Sequence, residues 1–202
     1  MWSVTKKALH LYRTNIRSVT KKEKILDTTL QLIAQNGLQG SPMSMIAKEA
    51  DVATGTIYHH FKSKEEIINA IYLNKKKDFK KILDKYEDDT LSFEKKFVLI
   101  WTDFYNYFVN NPLIFTFTQQ ISFSPIITAE VKTEGESYYS SIYVFFQKGV
   151  DQGQFVDIDL LLMSQMIFGN VVSLVELKLN GLEVTNKTLK DAIKYSWRAV
   201  KK

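Results

Sequence analysis

Between Ser41 and Lys64 the chain gathers hydroxyl, imidazole and ammonium groups and only two acids, Glu49 and Asp51. Ser41, Ser44, Thr54, Thr56, Tyr58, His59, His60 and Lys64 donate hydrogen bonds or carry positive charge, the chemistry that recognises phosphates and base edges. Other chemistries are poorly supplied. There is no cysteine, which excludes disulfides, thiol catalysis and cysteine-based zinc sites. The histidines are His10, His59 and His60. Adjacent residues on a helix point about 100° apart, so His59 and His60 do not form a metal pair, and no third ligand lies near. Carboxylates beyond residue 90 fall mostly at helix ends, where capping and dipole effects favour them. Neither an enzyme, a metal nor a cofactor is expected.

The elements that position these groups are short. Ser41 reads as an N-cap and Pro42 as a first helical residue. Met43, Ile46, Ala47 and Ala50 then recur at helical spacing. Asp51-Val52-Ala53 allows only a turn. A second helix opens at Ala53 or Thr54, turning Ile57 and Phe61 inward and Thr54, Thr56, Tyr58, His59 and Lys62 outward. Thr20-x-x-Glu23 is a capping box for a preceding helix that buries Ile25, Leu26, Thr29, Leu32 and Ile33 and stops at Gly37. Ser63-x-x-Glu66 is another, opening a helix to about Tyr86. Helix, tight turn and helix with a polar outer face is helix-turn-helix geometry, whose second helix enters the DNA major groove.

The run Ile46-Ala47-x-x-Ala50-x-Val52-x-x-Gly55-Thr56-Ile57-Tyr58-x-His60-Phe61-Lys62-Ser63-Lys64-Glu65 resembles the signature of the TetR family of bacterial transcriptional regulators, over Lys22 to Ile67. Asp51 departs from that pattern, where glycine is usual, and so does Ala53, where serine is frequent. The resemblance implies an all-α fold: a three-helix DNA-binding domain, then a helical bundle that binds an effector and dimerises. The expected domains are a basic extension (1–19), a reader (20–66) and a bundle (67–202). Ser41 and Ser44 are expected to donate to phosphate. Thr54, Gly55 and Thr56 place the N-terminus of the reading helix, which attracts phosphate. Tyr58 and His59 face the bases, and His60 and Lys64 hold the backbone. The reading helix has no Arg, Asn or Gln, so bidentate base contacts are absent and affinity should depend steeply on salt.

Charge agrees with this division. Residues 1–77 carry 13 Lys/Arg and 6 Asp/Glu, and residues 78–202 carry 14 and 16, out of a net +5. Residues 1–22 hold six bases and no acid. They read as a start outside the fold, a DNA-contacting arm or an interfacial membrane segment. No stretch of 18 apolar residues occurs, so no membrane span is expected, and the composition suits a cytoplasmic protein.

Beyond residue 90 the chain is aromatic. Phe93, Phe97, Trp101, Phe104 and Phe108 share a helical face. Asn111-Pro112 and Ser124-Pro125 predict helix starts, the first carrying Phe115 and Phe117. The second is expected to run to about residue 150 with Tyr138, Tyr139, Phe145 and Phe146. Such stripes fit a filled core or an effector cavity between helices. The resemblance favours a cavity lined by Trp101, Phe104, Tyr105, Phe108, Phe115, Phe117, Tyr138, Phe145 and Phe168. Asp103 is placed with Lys96 and Asn110 on a wet face. Few charges then remain for the cavity, which suits an uncharged aromatic effector or a long acyl chain. A helix from Asp159 to Leu179 is apolar nearly all round, so both sides must be covered. With a helix over 186–200, it resembles the family's homodimer seam. The function expected is a ligand-responsive repressor binding double-stranded DNA as a homodimer on an inverted repeat. The alternative is a hydrophobic sensor or carrier with vestigial DNA binding.

Overall fold

A computed structural model describes residues 20–122 and 124–202. The predicted readings of residues 1–19 lie outside the described residues. Ten helices occur among the described residues: α1 (Lys21–Asn36), α2 (Met43–Glu49), α3 (Thr54–His60), α4 (Lys64–Asp84), α5 (Phe93–Asn110), α6 (Pro112–Ile121), α7 (Ala129–Ser137), α8 (Ser140–Asp151), α9 (Leu160–Leu179) and α10 (Asn186–Val200). The described residues divide into two compact units, 20–75 with those of 111–135, and 76–110 with 136–202. The fold is all-α.

In the first unit α1 is closed at its start by the expected capping box. The Glu23 amide donates to Thr20 Oγ1 at 3.2 Å, and the Thr20 amide donates to the Glu23 carboxylate at 2.8 Å. Its end turns through Gly37 at φ 76°, a conformation that costs glycine little. Helices α1, α2 and α3 pack on one another around Ile25, Leu30, Ile33, Ile46, Ala47 and Ile57, and α6 packs on α1.

The second unit is built from α5, α8, α9 and α10 with the second half of α4. Helix α9 packs on α5, α8 and α10. It buries Met163, Val171, Leu174 and Val175 on one face. By length and composition alone this helix is apolar enough to cross a membrane, although Ser164, Gln165 and Asn170 interrupt its apolar run. Gly149 sits beneath Phe155, and any β-carbon there would strike the ring.

Three expectations change. Pro125 starts no helix; it lies in a turn, and α7 begins at Ala129, where the Val131 amide donates to Thr128 Oγ1 at 3.3 Å. The helix expected to run to 150 is broken between Ser137 and Ser140, beside a Gly-x-Ser sequence of the kind that kinks helices. Asp103 and Lys96 are half-buried on their helix rather than fully wet. Asp103 accepts from Lys85 Nζ and from the Tyr86 hydroxyl, both at 2.9 Å, while Lys96 pairs with Asp89 at 3.5 Å. Burial and then the Asp103 hydrogen bond push the Tyr86 phenol up to about 12.

Candidate nucleic-acid interface and effector site

The turn before α3 determines where the reading helix points. Asp51 holds a left-handed conformation, φ 51°, and its carboxylate meets Lys24 Nζ at 3.4 Å. Aspartate tolerates this region better than most residues. Ala53 precedes α3 without a side-chain cap. Ile57 is fully buried against the first unit's core, and this anchors the opposite face outward. Thr54, Gly55, Tyr58 and His59 are exposed and Thr56 and His60 half-buried, so these six predicted residues share one accessible helix. Ser44 is exposed on α2.

Ser41 differs from expectation. Ser41 is 0% exposed, and its hydroxyl donates to the Gly37 carbonyl at 3.0 Å. Pro42, not Ser41, occupies the N-cap position of α2. Ser41 thus ties α2 to the end of α1, and its hydroxyl cannot reach a phosphate from there. Lys64 Nζ donates to the Leu38 carbonyl at 2.7 Å, bracing the chain between α1 and α2, and the half-buried ammonium keeps two further donors.

Two bases outside the predicted set join this surface. Lys22 Nζ lies 5.5 Å from the centre of the Phe61 ring, just past the end of α3, and Lys24 flanks the turn through Asp51. Both are exposed. Their signal in the sequence is the Lys21-Lys22-x-Lys24 run directly after the Thr20 cap, on the helix that packs against the reader. Among the described residues, no three His, Cys, Asp or Glu side chains gather as a metal site.

The predicted effector residues fall into several groups. Phe104, Tyr107 and Phe108 pack on Phe79, and Phe168 packs on Phe104 and Phe108, with ring centres 5.4–6.1 Å apart and mostly edge to face. Phe145 belongs to a second cluster with Phe93, Phe146, Phe155 and Trp197. Trp101 stacks on Tyr105, and its indole N–H donates to the buried Ser196 hydroxyl at 3.2 Å. Tyr138 lies under Lys77. Phe115 and Phe117 are buried in α6, in the first unit. Sequence spacing missed Phe79 and Lys76. Lys76 Nζ donates to the Tyr139 hydroxyl at 2.7 Å and lies 4.3 Å from the centre of that ring. Burial, only partly opposed by Glu136, pulls the Lys76 ammonium down to about 8.

The chain is similar to known proteins over nearly all its length. Residues 25–71 match the model for bacterial regulatory proteins of the tetR family, and residues 92–201 match that for the tetracyclin repressor-like C-terminal domain. An uncharacterized HTH-type transcriptional regulator of Haemophilus influenzae is 28% identical over 89% of this chain and 95% of its own. A fatty acid metabolism regulator protein of Bacillus subtilis is 27% identical over 75% and 79%. The crystal structure of the transcriptional regulator FadR from Bacillus subtilis in complex with stearoyl-CoA superimposes with a TM-score of 0.71 at 23% identity, over 87% of this chain and 97% of that one. With both halves matched and the reading helix presented on its scaffold, the chain belongs to the TetR family of bacterial regulators and is a DNA-binding transcription regulator, not an enzyme.

Proposed function

We propose that this regulator is a homodimeric repressor of an inverted-repeat operator, released by a long-chain acyl effector. The observation that carries the dimer is the outer face of α9. Leu162, Met166 and Leu177 stand 51, 59 and 51% exposed, and Gly169 and Ser173 lie between them on the same stripe. Tyr195 of α10 is exposed as well. Bulky apolar residues at the ends and small ones in the middle suit close packing against a second copy of the same helix. A helix-turn-helix dimer places its two reading helices about 34–36 Å apart.

In this reading residues 20–66 read DNA and residues 67–202 bind effector and dimerise. Ser44, Thr54, Gly55, Thr56, Tyr58, His59 and His60 meet DNA, with Lys22, Lys24 and Lys64 on phosphates. Helix α4, which supplies residues to both units, carries the signal. The aromatic cluster around Phe79 favours an apolar chain, as do the fatty acid regulator of Bacillus subtilis and the stearoyl-CoA complex. A coupling of about 1–3 kcal/mol would weaken DNA affinity 5- to 150-fold. The test is titration of a long-chain acyl-CoA into the protein bound to a fluorescent operator duplex, with sedimentation to count protomers. Release of DNA from a dimer is the expected result. A monomer on DNA, or a complex indifferent to acyl ligands of any length, would refute the reading.

A further inference from the structure

Counted in fours from Leu161, one exposed row of α9 reads Leu161, Gln165, Gly169, Ser173 and Leu177. The pattern is the same from either end: leucine, polar residue, glycine, polar residue, leucine. Leu161 is 55% and Leu177 51% exposed. A β-carbon placed on Gly169 would meet nothing within 4 Å, so the backbone lies open at the middle of the row. No residue between Leu160 and Val175 is charged, and a second copy laid here meets no like charge. A twofold contact must match a surface to itself, residue i to j and j to i. The i±4 rows of two helices run side by side when the helices cross at about −50°. With the second copy turned end for end and the twofold axis at Gly169, the two glycines meet. Each leucine then meets a leucine, and each polar side chain meets a polar one.

We propose that α9 docks on the partner's α9 in this antiparallel register, with the Gln165 amide hydrogen-bonded to the partner's Ser173 hydroxyl on each side of the Gly169 crossing. This rests on the homodimer reading above and adds the register and the pair that selects the partner. The leucines supply apolar area at both ends, and Gly169 lets the backbones approach. Gln165 and Ser173 add discrimination. A chain with an apolar residue in place of Ser173 leaves a buried amide without its partner, at a cost of about 10-fold in affinity for each pair. The occupant that fits is therefore a second copy of this chain, not a related regulator with a different row.

The chain contains no cysteine, so introduced thiols report the register. Residues 165 and 173 stand about 12 Å apart along one helix, too far for a disulfide within a chain. Oxidation of the full-length Gln165→Cys/Ser173→Cys protein is expected to give a covalent dimer, while neither single variant cross-links. Sedimentation of the wild type runs beside it. A cross-link in either single variant, or none in the double variant while the wild type sediments as a dimer, would overturn the register and leave the homodimer reading standing. A wild-type monomer would remove both. The polar pair has its own test. Ser173→Ala should weaken the dimer at least about 10-fold, and adding Gln165→Leu should recover most of that loss, because no amide is then left unpaired. An undiminished dimer in Ser173→Ala, or a further loss on adding Gln165→Leu, would refute the hydrogen bond.

Discussion

The two units are packed from different side chains. The first has a core mainly of branched aliphatics, Ile25, Leu30, Ile33, Ile46, Ile57, Ile67 and Ile68, joined by Phe61, Phe115 and Phe117, and its buried hydroxyls, Thr29 and Ser41, each donate to a backbone carbonyl. The second is built on rings, Phe79, Phe97, Trp101, Phe104, Phe108, Phe146, Phe155 and Trp197. It also draws in an ionisable group, Lys76. Isoleucine side chains are stiff at χ1 and suit a unit that must present one fixed surface. Edge-to-face rings supply large contact areas with a few torsions each, and a charge among them gives the unit something to respond with. The comparison separates a scaffold for display from a scaffold for sensing.

Breaking the aromatic framework should have the largest effect. Phe155 is buried and touches the rings of Phe93, Phe145, Phe146 and Trp197. Phe155→Ala is expected to cost about 3–5 kcal/mol, against about 0.5–1.5 kcal/mol for Ile57→Val in the reader. Urea unfolding measures both. A cost below about 1 kcal/mol for Phe155→Ala would mean the rings are not the framework.

Lys76 sharpens the contrast in the other direction. Its folded value lies near 8, below the ordinary 10.5, so the unfolded chain binds more protons between those values. Stability should then rise as pH climbs from about 8 toward 10, before the raised Tyr86 phenol reverses the trend by keeping its proton in the folded state. Lys76→Met should remove the rise and stabilise the protein at pH 7 by up to about 3 kcal/mol, the free energy equivalent of the shift. Thermal melts across that pH range, on wild type and variant together, decide the sign.

The display surface predicts smaller effects. Tyr58→Ala should weaken operator binding by about 1–3 kcal/mol and leave stability within about 0.5 kcal/mol, because the ring is 54% exposed. Lys22→Ala should weaken binding to all sequences alike and lower the salt slope by about 1. Anisotropy at several salt concentrations reads both. Smallest is Asp51→Gly, which relieves a left-handed backbone and should add about 1 kcal/mol, less a few tenths for the exposed Lys24 pair. Destabilisation on that change would mean the carboxylate, not the backbone, governs the turn.

The reader was legible because its signals are local. Thr20 and Glu23, Gly37, Ile46 with Ala47, and Ile57 with Phe61 each declare a helix boundary or face within a few residues. What was missed there depends on contacts between elements: the buried Ser41 hydroxyl is held by the Gly37 carbonyl, and Lys64 braces Leu38, 26 residues away. In the bundle, spacing revealed apolar faces but not which rings meet. Phe145 and Phe104 look alike in sequence yet join different clusters. Phe115 and Phe117 pack in the first unit because α6 lies on α1. Lys76 reads as one of three consecutive solvated lysines, and only the helix break at Tyr138-Tyr139 sets it apart. Pro125 shows that a Ser-Pro pair marks a turn as readily as a helix start.

The most direct test of the account is selection of binding sites from a random duplex pool by the purified protein. An account built on paired reading helices predicts an enriched inverted repeat, with half-site centres about one helical turn or a multiple of it apart. Enrichment of a single asymmetric half-site would contradict the α9 seam. No enrichment from protein stripped of bound lipid would contradict the claim that this chain regulates by reading DNA sequence.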